Sequence, residues 1–364
     1  MRIGIDASRA FGEEKTGTER YSYEVITRLL ALPGARKHEW ILYTKYQVPI
    51  SKIQTSSNIQ VIQIPMKYLW TQVGLAARTW VDRLDMLWVP AHTLPVLRRP
   101  GVKTVVTIHG IEYEWLPAYE NVLQRWYLPL STKYAVGSAD KIIAVSEFTK
   151  RQLVERLGAP ADKINVIYEG VSQNFQFSNS NSQIILKKYN LQKKKYLLFV
   201  GTVQPRKNLE RLIEAFAGLK SRGSSLKLVI CGKLGWSFDE ILTAPEKNNV
   251  KDNVMFIRFV PEPEKVELLK NALVYIQPSI TEGFGLPVLE AMAASVPVAS
   301  SRGGALGEVV GKAGLLFDPY DVDDIRVKIT QAMGNNGLMI AGRERVKKFS
   351  WEITANKTYN MLAK

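Results

Sequence analysis

The sequence predicts an α/β protein built as two doubly wound parallel sheets, and three observations carry that prediction. Strand-like apolar runs alternate with helical patterns through both halves. At 364 residues the chain is long for one core and comfortable for two domains of ordinary size. The polar stretch Ser172-Gln-Asn-Phe-Gln-Phe-Ser-Asn-Ser-Asn-Ser182 reads as a boundary between the halves, which favours two sheets over a single TIM barrel.

The first half opens on the strand Arg2–Ala7, followed by the loop Thr16-Gly-Thr-Glu-Arg-Tyr21. The apolar run Thr104–Ile108 ends at His109, where open α/β sheets present ligand contacts beyond the carboxyl ends of their strands. A satisfied core histidine is the competing reading. This half is rich in aromatics: Met66-Lys-Tyr-Leu-Trp70, Trp80, Trp115, Tyr119, Trp126 and Tyr127. Such rings suit core or domain-interface packing, and equally a sugar or a lipid headgroup surface. The strand Lys163–Tyr168 closes the first domain, and the second begins near Lys193.

In the second half, Tyr196–Val200 reads as a buried strand, followed by the turn Gly201–Asn208 and the helical pattern Leu209–Ala217. Arg206 and Lys207 stand together at that helix entrance. Arg can bind two oxygens at once and Lys supplies a compact charge, so the pair suits a diphosphate. Two ordinary surface cations, with Asn208 capping the helix, would look the same in sequence. The strand Leu226–Cys231 ends on the only cysteine, so an internal disulfide is excluded and a buried apolar role is expected.

The most informative stretch is Ser279-Ile-Thr-Glu-Gly-Phe-Gly-Leu-Pro-Val-Leu-Glu290, reached from the strand-like run Ala272–Pro278. Pro287 fits the first turn of a helix, so Glu282 falls in the loop before it and Glu290 about one turn inside. Gly283 and Gly285 let the backbone approach a bound group, while N–H groups at the helix start offer donors to an anion. Two acids with bare amides between them suit a ligand with hydroxyls at both ends and phosphates in the middle. A nucleotide sugar has that layout. The plainer reading is a turn followed by a helix whose acids are solvated.

These segments resemble the retaining glycosyltransferases of family 4, and the likeness extends through Gly303-Gly304-Ala305, Glu308–Val310, Gly314–Pro319 and Phe349-Ser-Trp-Glu352, and in the first half through Ala139–Lys150. The resemblance implies the GT-B fold, two Rossmann-like doubly wound domains facing across a cleft. Residues 1–171 would form the acceptor-side domain, 172–192 a linker, 193–345 the donor domain, and 346–364 a helix returning to the first domain. It further implies that Glu290 holds the donor ribose and that Arg206 and Lys207 hold the diphosphate. Glu282 and the amides after Gly283, those of Phe284, Gly285 and Leu286, would hold the transferred sugar and distal phosphate. Gly17 matches a position where backbone approaches phosphate or acceptor, although Thr16-Gly17-Thr18 stands where many relatives have two adjacent glycines. His109 matches a histidine beside the reacting sugar; the acid that usually follows is Gly110 here.

The expected chemistry is transfer of a hexosyl group, mannosyl by resemblance, from a nucleoside-diphosphate sugar to a carbohydrate or lipid-linked glycan. No cofactor and no metal is expected, because Arg206 and Lys207 can neutralise the leaving diphosphate. Asp321-Val-Asp323 sits at a helix start and reads as a cap. A GT-B phosphorylase, a nucleotide-sugar epimerase, and a noncatalytic nucleotide-sugar or nucleic-acid binder are the alternatives. The net charge of +15 suits an anionic partner such as a membrane surface. The short runs Lys193–Lys195 and Arg98-Arg99 do not make a nucleic-acid binder. Gly307–Lys312 is one residue short of a phosphate loop. The opening carries Asp6 and Arg9, and no apolar run is long enough to span a bilayer, so a cytoplasmic protein, peripheral at the membrane, is expected.

Overall fold

A computed structural model describes residues 1–12, 17–48, 56–66, 68–111, 122–172, 182–219 and 225–363. The chain divides into two compact units, Met1–Gly170 with Trp351–Lys364, and Val171–Ser350.

In the first unit, the strands are β1 (Arg2–Asp6), β2 (Glu39–Thr44), β3 (Ile59–Gln63), β4 (Met86–Val89), β5 (Lys103–Ile108), β6 (Lys141–Ala144) and β7 (Ile164–Val166). They form one parallel sheet in the order β3-β2-β1-β4-β5-β6-β7. Strands β1, β4 and β5 are almost wholly buried, as expected where helices cover both faces. The helices are α1 (Gly17–Ala31), α2 (Ala76–Val81), α3 (Val122–Ser138) and α4 (Glu147–Leu157). Ser146 caps α4 by accepting from Thr149 N, and Gly158 ends it with a left-handed φ of 65°.

The second unit begins with α5 (Ser182–Lys188) and repeats the plan with β8 (Tyr196–Val200), α6 (Leu209–Leu219), β9 (Lys227–Cys231), α7 (Asp239–Lys247), β10 (Val254–Ile257) and α8 (Glu262–Asn271). It continues through β11 (Val274–Gln277), α9 (Leu286–Ala293), β12 (Val298–Ser301), α10 (Leu306–Val310), β13 (Leu315–Phe317), α11 (Val322–Ala332) and α12 (Asn336–Val346). Its sheet is parallel in the order β10-β9-β8-β11-β12-β13. Both orders run outward from the first strand and then reverse, the Rossmann-like arrangement, which opens a crevice where the order switches. In this unit the switch lies between β8 and β11. Cys231 closes β9, is buried, and its thiol is pushed up to about 12 by that burial.

Two borders differ from the sequence reading. The segment 172–192, read as linker from its polarity, includes α5, which packs on α8 through Lys188 and Tyr189 bonding Glu264. The half-buried Ile185 and Leu186 supply the apolar side that the surrounding serines and asparagines obscure. The return to the first unit comes at Trp351 rather than at 346, because Val171 N donates to Phe349 O and Val171 bridges Ser350, holding 346–350 in the second unit.

The last helix, α13 (Trp351–Leu362), packs along α1. Trp351, Thr354, Ala355, Thr358, Met361 and Leu362 recur at helical spacing and are all buried. Trp351 meets Tyr21 edge-on at 6.1 Å, Thr354 Oγ1 donates to Tyr168 O at 2.8 Å, and Arg28 pairs with Glu352 at 2.8 Å. Among the described residues, no helix is long and apolar enough to cross a membrane. Trp351 is fully buried, so Trp351→Ala is expected to cost about 3–5 kcal/mol. Urea unfolding of the variant beside the parent checks this.

Candidate functional site

The strongest polar cluster lies beyond the carboxyl ends of β8 and β11, at the switch point of the second sheet. Strand β8 runs into a single 3-10 turn, Pro205–Lys207, that ends on Asn208 with a left-handed φ of 57°. Asparagine tolerates that conformation. Its amide is anchored by donating to Pro278 O at 3.1 Å and Pro319 O at 2.7 Å. The turn therefore presents Arg206 and Lys207 toward the loop that follows β11.

There the Glu282 carboxylate, 8% exposed, gathers four donors. Oε2 accepts from Arg206 Nη1 at 2.8 Å. Oε1 accepts from Lys207 Nζ, from Ser279 Oγ at 2.7 Å and from Gln277 Nε2 at 3.0 Å. Burial pushes this carboxyl up, but Lys207 and Arg206 more than reverse it and bring it to about 2. Arg206 also donates to Thr281 O at 2.6 Å and its carbonyl accepts from Ile280 N at 3.0 Å, so turn and loop are laced together.

The glycines behind the loop are forced by space. A Cβ on Gly303 would lie 2.1 Å from Ile280 O, and one on Gly304, where φ is +65°, would lie 2.3 Å from Glu282 O. This close backbone approach lets Ala305 N bond Glu282 O at 2.8 Å. Gly285, at φ 105°, opens α9, with Pro287 in its first turn. The side chains of Phe284 and Leu286 are buried, Phe284 edge-on to Phe349 at 5.9 Å. At Gly283–Leu286 only backbone is thus offered to a ligand.

Glu290 lies one turn into α9 and is 3% exposed. It pairs with Lys265 at 2.9 Å. The Tyr275 phenol is raised well above its usual range by burial and then by the charges of Glu290 and Glu282. Sequence reasoning missed Lys265. Lys265 also pairs with Glu262 on its own helix at 2.9 Å, a local i,i+3 pairing that gives no sign in sequence of the second partner on α9.

The remaining residues fall in the first unit. His109 follows β5 with both ring nitrogens engaged, Nδ1 to Glu169 Oε1 at 2.8 Å and Nε2 to Pro90 O at 2.9 Å. A carbonyl can only accept, so Nε2 carries a proton, and the Nδ1 contact with a carboxylate requires another within the pair. No ring lone pair is left over, which argues against a general base and for a fixed, oriented ring. Tyr21 packs edge-on to it at 4.7 Å. Burial, then the charges of His109 and Arg9, push neighbouring His92 down to about 3. Glu169 was also missed, although an acid directly after the strand pattern 163–168 occupies a ligand-facing end. Gly17 begins α1 in open space, with nothing within 4 Å of where a Cβ would stand, so packing does not require glycine there. Residues 13–16 before it, and Trp115 and Tyr119, lie outside the described residues. Asp321 caps α11 by accepting from Asp323 N and Asp324 N at 2.9 and 3.0 Å.

Comparison with known proteins identifies the family and the fold. Residues 16–175 match the family described as Glycosyltransferase Family 4, and residues 181–350 that described as Glycosyl transferases group 1. The chain is 32% identical over 264 residues to O-antigen chain mannosyltransferase B of Escherichia coli, an alignment spanning 71% of this chain and 69% of that one. It is 28% identical over 334 residues to O-antigen chain mannosyltransferase RfbU of Salmonella typhimurium, 87% of each chain. The crystal structure of Anabaena HepE in complex with UDP-glucose superposes with a TM-score of 0.72 at 14% identity, covering 100% of this chain and 99% of that one.

Because the Glu282 carboxyl is held low, its contribution to stability is complete above the ordinary value of 4.5 and is lost as pH falls through about 2. Urea unfolding from pH 7 down to pH 2 is expected to show this loss in the parent and a smaller one in Glu282→Gln. Glu282→Ala, which strands the buried Arg206 and the half-buried Lys207, is expected to cost about 3–5 kcal/mol at pH 7.

Proposed function

The chain belongs to the group 1, family 4 glycosyltransferases and has their GT-B fold, and from that premise we propose its reaction and a place in polysaccharide synthesis, which the names of its relatives support. It moves a hexosyl group from a nucleoside-diphosphate sugar to a carbohydrate or lipid-linked glycan, with retention and without a metal. The observation that carries this reading is the cluster of buried Glu282 and Arg206 with half-buried Lys207 at a sheet switch point.

The breaking bond joins the anomeric carbon to the distal phosphate oxygen. Its electron pair leaves on the diphosphate while positive charge develops on the ring. Arg206 and Lys207, held beside the loop by Glu282, exchange contacts with it for contacts with the bound diphosphate and stabilise the departing charge. The amides of Gly283, Phe284, Gly285 and Leu286 take the distal phosphate. When Lys207 turns to the diphosphate, a lone pair of Glu282 Oε1 becomes open to a sugar hydroxyl. Glu282 is a poor nucleophile, since a carboxylate drawn to about 2 and bonded to four donors has little electron density to give. The acceptor oxygen instead attacks from the departing face, and its proton passes to a phosphate oxygen.

Glu290, buffered by Lys265, takes the ribose hydroxyls. His109 is assigned an orienting role beside the reacting sugar and Gly17 a backbone approach to the donor phosphate or acceptor, and the protein is assigned to the cytoplasm. Mannose on guanosine diphosphate is the first donor to test, supported by the names of the two O-antigen relatives.

Transfer from labelled guanosine-diphosphate mannose, with a chelator present, checks the reading. Arg206→Ala and Lys207→Ala are each expected to lower turnover by ~10²–10³-fold, and the product's anomeric carbon should keep the donor configuration by NMR. Wild-type rates in both variants would remove the site assignment, and an inverted product would remove the mechanism.

A further inference from the structure

We propose that Lys265 is a positioning residue that makes the second unit select ribose over deoxyribose in its donor. This role rests on the assignment of Glu290 to the ribose hydroxyls and supplies what sets that carboxylate in place.

Lys265 reaches from α8, the helix after β10, to α9, the helix after β11. Its Nζ lies 2.9 Å from Glu290 Oε1 and 2.9 Å from Glu290 Oε2, so one ammonium spans both oxygens of one carboxylate. A third carboxylate oxygen, Glu262 Oε2, stands 2.9 Å away on its own helix. An ammonium carries three protons, and here three carboxylate oxygens face it. Its charge is thus spent on acids of the protein, unlike that of Arg206 and Lys207, which a diphosphate can draw away.

The two pairings differ in weight. The side chains of Lys265 and Glu290 are 13% and 4% exposed, whereas that of Glu262 is 51% exposed. A partner in water adds little, while a buried carboxylate deprived of its cation is left uncompensated. The contact between helices is therefore the one that governs Glu290.

The last torsion of a glutamate is broad, so an untethered carboxylate turns easily. An ammonium bound to both oxygens removes that freedom. The incoming hydroxyls exchange with part of this double contact while the ion pair persists, and Lys265 continues to set the carboxylate plane. A carboxylate only accepts hydrogen bonds, and two neighbouring hydroxyls can each donate to one of its oxygens. Ribose offers that pair and deoxyribose has lost one member. Hydrogen bonds to charged groups are the strong ones, so the loss costs about tenfold or more in affinity. A carboxylate that turns freely would give the single remaining hydroxyl its best contact and discriminate less.

Calorimetric titration of the full chain with guanosine, uridine and adenosine diphosphates, each beside its deoxyribose counterpart, tests this. For the base that binds most tightly, a ribose preference of about tenfold or more is expected in the parent, falling below about threefold in Lys265→Met. Lys265→Arg keeps the charge and can meet both oxygens, so it should restore most of the preference. Glu262→Ala removes only the exposed partner and should stay within about twofold of the parent. Inorganic pyrophosphate carries no ribose and should bind the parent and Lys265→Met alike. If Lys265→Met melts too early to titrate, Lys265→Gln takes its place with the same reduced preference expected. A parent that binds no nucleotide, or binds without preferring ribose, would remove the Glu290 assignment and the role of Lys265 together. A parent that prefers ribose beside a Lys265 variant that prefers it equally would overturn the role of Lys265 alone, as would a variant that loses pyrophosphate as well.

Discussion

A carboxylate buried at a sheet's switch point must be satisfied by the protein around it, and the second unit is arranged about that requirement. An uncompensated charge there would cost several kcal/mol. Glu282 meets the demand by drawing donors from the turn after β8, from the end of β11 and from its own loop. Each of those elements is fixed in turn. Asn208 pins the β8 turn, and Gly303 and Gly304 let the β12 side close against the loop backbone. Remove the carboxylate and the reason for this convergence goes with it.

The same logic recurs at the other two candidate groups. Glu290 rests against Lys265, and His109 rests against Glu169 and a backbone carbonyl. In each case a polar group that a ligand could use already has a partner inside the protein. A ligand must therefore exchange contacts rather than fill unpaired ones, so binding and selectivity arise from the difference between two satisfied states. An anionic diphosphate can compete for Arg206 and Lys207, whereas a neutral ligand has little to offer them.

Much of this was legible in the sequence because it depended on local rules. Pro287 after a strand and two glycines sets the start of α9 and hence where Glu282 and Glu290 stand. Alternating apolar strand and helix patterns pointed to the two parallel sheets. Lys265 and Glu169 were not found, since each matters through a partner on another element, Glu290 and His109, and the local signals at the two positions do not name that partner. The helix inside the expected linker was hidden by its serine and asparagine neighbours, and the return at Trp351 rather than at 346 depends on Val171 pairing with Ser350, 179 positions away. Local periodicity identifies elements, while long-range pairing decides which unit owns them.

If the Glu282, Arg206 and Lys207 cluster receives a nucleoside diphosphate through its own cations, that ligand must stabilise the folded chain without help from a metal. Thermal unfolding of the purified chain with guanosine, uridine, adenosine and thymidine diphosphates, each with and without a chelator, measures this. At one hundred times its dissociation constant a ligand adds about 2.7 kcal/mol, a shift of roughly 2 to 4 °C for domains of this size. Such a shift is expected for one base and should be unchanged by the chelator. No shift with any of the four, or a shift that the chelator abolishes, would contradict binding through the cluster's own cations.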